Sequence, residues 1–225
     1  MKINDDNLDS LKGMEDVAYD FAVSADLTAA FRSAATTLSG QRSERASYRS
    51  TASTDFEGYF STLFTSNGTT QLTDLDEIVR NLRLVATKVD DVADKAREEN
   101  RRRRAAREWA QRRADRSFFQ EEWDKWFGGE KAPYDEIADD DQGPSELVEA
   151  AALGARETPE EAGGPSGGTS SARPRNLKDF AASSRGADDL LRSVPGGLED
   201  HCASYASSCS WASLDASSVI SGYRQ

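Results

Sequence analysis

Asp55-Phe56-Glu57-Gly58-Tyr59-Phe60 separates two stretches of helical patterning, and the fold turns on how this corner is read. Before it, Leu27, Phe31, Ala34, Leu38, Tyr48 and Ala52 fall on a spacing of threes and fours, with a polar gap between. After it, Leu72, Leu75, Val79, Leu82, Val85, Val89, Val92 and Ala96 hold that spacing without a break. One helix alone cannot hide such a stripe, so it requires a helix laid against it. An aromatic residue, any residue and then Gly suits a tight link between antiparallel helices. The Phe56 ring plugs the end of the seam, and Gly58 takes backbone angles closed to other residues. The predicted fold is all-α: an antiparallel helical hairpin with a long second helix.

Outward from the corner, Ser24 or Asp26 suits an N-cap for a first arm over about 27–53, and Gly40 is a place where that arm loosens or breaks. Thr65-Ser66-Asn67-Gly68-Thr69-Thr70 has turn composition. From Gln71 to Arg116 neither Gly nor Pro occurs, which permits a helix of more than 40 residues. Residues 1–24 are acidic with a weak stripe at Leu8, Leu11, Val17, Ala18 and Phe21, read as a short helix. The hairpin unit spans 25–129. Residues 130–175, rich in Glu, Asp, Gly, Pro and Ser and without periodicity, read as a disordered acidic linker. Residues 176–225 read as a partial second helical module. There Leu177, Phe180, Ser184, Ala187, Leu191 and Val194 form one stripe, which Pro195-Gly196-Gly197 stops. Leu198, Cys202, Tyr205 and Cys209 begin another. A final helix opens near Val219 and Ile220, and the chain reaches its last residue one turn later. This suggests the front part of a longer polypeptide, or the remnant of one.

Composition narrows the class. The 225 residues are 37% apolar and 30% charged, too polar for one thick core but compatible with narrow helical seams. No stretch approaches the ~20 apolar residues that cross a bilayer. The start, Met1-Lys2-Ile3-Asn4-Asp5-Asp6, has no basic region followed by a long apolar run, so a Sec signal is disfavoured. A formal charge of -12 disfavours nucleic acid and anionic membranes unless the bases are gathered in one place.

They are gathered. Residues 97–116 hold nine arginines against four acids, with Arg101, Arg102, Arg103, Arg104, Arg107, Arg112 and Arg113 as the candidate basic patch. Three uses suit it: a solvated coiled-coil extension, a docking face for a partner protein, or a grip on phosphates with Trp109 stacking a base. Four successive arginines spread over all faces of a helix. Residues 121–161 carry fourteen acids and three bases, suited either to fold back on this arm or to compete with phosphates for it. The aromatic patch 118–127 suits either burial against the hairpin base or an exposed docking surface.

Catalytic and metal signals are weak. His201 is the only histidine, and Cys202 with Cys209 lacks the paired short spacings of tetrahedral zinc. On a continuous helix the two cysteines lie ~10 Å apart along the axis, too far for a disulfide, and read as small buried residues. Carboxylates cluster without an apolar pocket to raise a pKa, and neither a strand nor a phosphate loop is evident. No catalytic, cofactor-binding or metal residue is assigned, and no enzyme activity is expected.

Residues 27–113 resemble the WXG superfamily of type VII secretion substrates, helical hairpins with a Trp-x-Gly turn. Phe56-Glu57-Gly58 stands at the turn with Phe in place of Trp, and Tyr59-Phe60-Ser61-Thr62-Leu63-Phe64 matches the small and aromatic string that follows it. The family's Tyr-x-x-x-Asp/Glu tail signal has no match at any tyrosine, and Phe118 with Glu122 is the nearest equivalent. The resemblance implies a non-catalytic secretion substrate or targeting module, ahead of a linker and toxin in longer relatives. It would be exported by a non-Sec route, or be cytoplasmic before export. Its hairpin would pair with itself or with a small WXG-like partner through Leu72, Leu75, Val79, Leu82, Val85, Val89 and Val92, and the bundle would meet the secretion machinery. Ordering two long arms costs free energy comparable to what burying this seam returns, so a lone hairpin is marginal and gains from a second. The alternative is a coiled-coil scaffold or nucleic-acid-binding protein using 97–116.

Overall fold

The computed structural model describes residues 1–116, 130–138, 143–150, 152–158 and 169–222. In order they form a 3-10 turn (Asp5–Asn7), α1 (Leu8–Lys12), α2 (Phe21–Ser53), α3 (Tyr59–Ala114), β1 (Ser145–Leu147), α4 (Pro174–Ser208), β2 (Ser213–Asp215) and α5 (Ser217–Gly222). The fold is all-α and built on an antiparallel hairpin of α2 and α3. Side-chain pairs across it, Thr28 and Arg32 with Asp90, Arg42 with Asp76, and Arg49 with Thr69, rise along α2 as they fall along α3. At 56 residues against 33, α3 outruns its partner. Its arginine-rich end therefore projects beyond the start of α2.

Local sequence explains why the helices are longer than expected. Asp20, not Ser24 or Asp26, caps α2, its Oδ1 accepting the amides of Ala22 (2.8 Å) and Val23 (3.1 Å). Ser24 lies inside instead, bonded to the Tyr19 hydroxyl at 2.7 Å. Gly40 does not break the helix, because Leu38 and Gln41 on either side are held by burial. The turn expected at 65–70 is helical. Thr69 and Thr70 bond back to the carbonyls of Thr65 and Ser66, so their hydroxyls do not compete with the helix. Gly68 leaves room for Arg49, whose side chain lies across it with Cδ 2.4 Å from where a Cβ would stand. Pro195 likewise does not stop α4. It removes one backbone donor, yet Pro195, Leu198 and Tyr205 are buried, and packing overrides the lost bond.

Helix α2 packs on α3 along one side and on α4 along another, while α5 rests on α3. One core runs through all of them, from Leu27, Phe31 and Leu38 through Leu82, Val85 and Val89 to Leu198, Tyr205 and Ile220. The C-terminal helices thus share the hairpin's core and do not form a separate module. A smaller second core, Ile3, Leu11, Ala106, Trp109, Ala110 and Ile137, sits under the overhanging end of α3. Residues 13–20 are not helical as expected: Val17 is tied to α3 through its amide to Asn100 Oδ1 at 2.7 Å.

Two short strands also appear where none was foreseen. β1 and β2 pair in parallel, with Ser145 opposite Ser213 and Leu147 opposite Asp215. The described parts of 130–175 otherwise carry no helix up to Pro174, as their composition implies, but they are not free of the fold. Ile137 and Val148 are buried, and Glu146 pairs with both Lys88 (3.0 Å) and Lys95 (3.1 Å). Isolated apolar residues, the β1 ladder and ion pairs together dock this acidic stretch. No described helix is long and apolar enough to cross a membrane.

Candidate functional site

The corner is a true reversal, and its parts explain the sequence. Asp55 takes a positive φ of 59°, and Gly58 one of 91°. Gly58 is doubly required, since a Cβ there would lie 2.4 Å from the Thr169 carbonyl oxygen. The chain at 169–173 straps this turn: Glu57 and Ser171 exchange backbone bonds of 2.8 and 3.2 Å, and Arg173 pairs with Asp55 at 2.5 Å. Phe56 is half-buried. It packs on Phe64 with ring centroids 5.7 Å apart, and Phe64 meets Phe180 of α4 edge-on at 5.0 Å.

Beside the corner these rings floor a groove of about 510 Å³ between the tips of α2, α3 and α4. Phe60 stands at its edge, 47% exposed. Arg45, Arg49 and Arg156 line the same groove. Arg45 is buried and reaches Asp188 at 2.6 Å, and Arg156 reaches Asp74 at 2.7 Å. Sequence reading missed this site because its walls come from four separated segments. The available signal was the run of aromatics after Gly58, together with Phe180.

The seam residues are brought together as expected. Leu82, Val85, Val89 and Val92 are fully buried, and Leu72, Leu75 and Val79 nearly so. They are closed by α2 and the C-terminal residues of the same chain, so no second hairpin is needed to shield them. This corrects the expected pairing surface: the ridge faces inward and offers nothing to a partner.

The arginine block is likewise not an open phosphate grip: Arg101, Arg102, Arg104 and Arg112 are solvated, yet each is paired with a carboxylate. Arg103 is 1% exposed, its Nε 3.3 Å from Glu99 and its terminal nitrogens donating to the carbonyls of Glu15 (3.0 Å) and Ala138 (3.1 Å). Arg104 and Arg107 share Asp16 at 2.6 and 2.8 Å, and Arg113 forks onto Asp5 at 2.6 and 2.7 Å. Arg112 and Arg116 hold Glu130, both at 2.9 Å. Arg101 and Arg102, the former 70% exposed, pair with Glu98. Hydrogen bonds from Arg104, Arg113 and Arg112 hold Asp16, Asp5 and Glu130 below the usual carboxylate range. The block is a clasp that fastens the acidic N-terminus and residues 130–138 onto α3.

Cys202 and Cys209 are free thiols, half-buried and buried, and desolvation pushes the Cys202 thiol up to about 11, away from reactivity. His201 is exposed. Among the described residues no group of three His, Cys, Asp or Glu converges as a metal site. Phe118 and Glu122, and the aromatic patch from 118 to 127, lie outside the described residues. Neither a family model, nor a curated protein, nor a solved structure matches this chain.

Proposed function

We propose that the chain is a type VII-like secretion substrate or targeting module that acts as a preassembled helical bundle and carries no catalytic group. The observation that supports this reading is the strapped reversal at Phe56-Glu57-Gly58 between two long antiparallel helices. The pairing that the resemblance assigns to a second protein is, in this reading, supplied by α4 and the C-terminal residues of the same chain. The module is then a monomer whose outer surface, not its seam, meets the export machinery. The nucleic-acid alternative is disfavoured, because the arginines it needs are held by Asp5, Asp16, Glu98, Glu99 and Glu130.

The test is export from a bacterium that carries a type VII system, compared with the same strain lacking the system's ATPase. The chain is expected in the medium of the first strain only, and as a monomer by size-exclusion mass. Retention in both strains, or release from both, would overturn the proposal.

A further inference from the structure

The groove at the hairpin tip carries an inference that is independent of export. Its floor, Phe56, Phe60, Leu63, Phe64, Leu177 and Phe180, is apolar, while one wall is cationic. Arg45 and Arg49 are one turn apart on α2, on the same face. Arg49 is half-buried, donates to the Thr69 hydroxyl at 3.0 Å and has no carboxylate within ion-pair distance among the described residues. Arg45 is 3% exposed, and its Nε has no acceptor although its Nη2 is bonded to Asp188. With Arg156, three guanidinium groups face two carboxylates, Asp188 and Asp74. A buried donor without an acceptor is costly, and a cation over an apolar floor is best completed by an anion with an apolar body.

The size narrows the choice. A groove of about 510 Å³ lies in the range that encloses a small ligand, whereas a protein partner needs a far larger face. We propose that the groove binds a single-chain anionic amphiphile of the fatty carboxylate class. Its carboxylate takes the Arg49 guanidinium beside the buried Arg45, and its chain lies on the phenylalanine floor.

The test is calorimetric titration of the full chain with sodium dodecanoate below its micelle concentration. Saturable binding of one dodecanoate per chain is expected, with 1-dodecanol and dodecyltrimethylammonium binding far more weakly. Arg49→Glu should weaken binding about tenfold or more, by removing a charge-assisted bond and opposing the head group. Phe60→Lys, at an exposed floor position, should weaken it by obstructing the chain. Circular dichroism checks that both variants remain folded. If either unfolds, the comparison of head groups on the unaltered chain decides alone. Absence of saturable binding, equal binding of the alcohol, or folded variants that bind as the parent does would overturn the inference.

Discussion

Along the single helix α3 the chain is fastened in two different ways. From Leu72 to Ala96 the contact is chiefly apolar, a ridge of Leu and Val sealed by α2 and the C-terminus, with ion pairs such as Arg32–Asp90 and Arg42–Asp76 along its margin. From Arg97 to Ala114, where α2 has ended, the contact is chiefly guanidinium to carboxylate and carbonyl, with a few apolar residues beneath. The apolar burial of the ridge is non-directional and carries no titrating group. The clasp depends on forks whose partners are mostly solvent-exposed, and such pairs are weak singly and screened by salt. The two ends of one rod should therefore loosen separately, the clasp first.

The strongest way to break that comparison is to charge the ridge. Val89→Asp places an unpaired carboxylate in the main core, and we expect a loss of more than about 4 kcal/mol, seen as collapse of the whole helical signal. A variant that melts like the parent would show that the ridge does not hold the fold. Next in size is Arg103→Ala. It leaves Glu99 buried without its cation and should cost about 3–5 kcal/mol of local stability. Hydrogen exchange should rise in 1–20, 99–114 and 130–138 while the amides of 79–92 stay protected. Equal loss in both regions would mean a single cooperative unit.

The gentlest probe is acid. Asp5, Asp16 and Glu130 have folded pKa values below their ordinary ones, so their contribution is fully present above the unfolded value and fades as pH falls through the folded one. Limited proteolysis at the N-terminus should accelerate below about pH 4, and again in high salt, with the hairpin intact. Constant resistance down to strong acid would place the clasp's strength in its apolar residues instead.

What the sequence disclosed follows the same division. The ridge and the corner were legible because a helix writes its buried face locally, every third or fourth residue, and because Gly58 sits where only a positive φ fits. Several readings failed where tertiary contact outweighed local preference: at Asn67-Gly68, where Arg49 needs the room, and at Pro195, where burial holds the helix through a missing bond. The clasp was illegible for another reason. Arg104 and Asp16 lie 88 residues apart, and Arg113 and Asp5 lie 108 apart, and no periodicity links them. Only the acidity of residues 1–24 and of 121–161, on either side of a basic helix, hinted at it. The tip groove shares that difficulty, since α4 supplies Leu177 and Phe180 of its floor.

The shared core has a practical corollary for anyone cutting the polypeptide. Residues on both sides of 152–158 contribute to it, and β1 zips to β2 across the same gap. A chain nicked within 152–158 should therefore stay associated as two fragments, and pieces ending and starting there should reassemble when co-expressed.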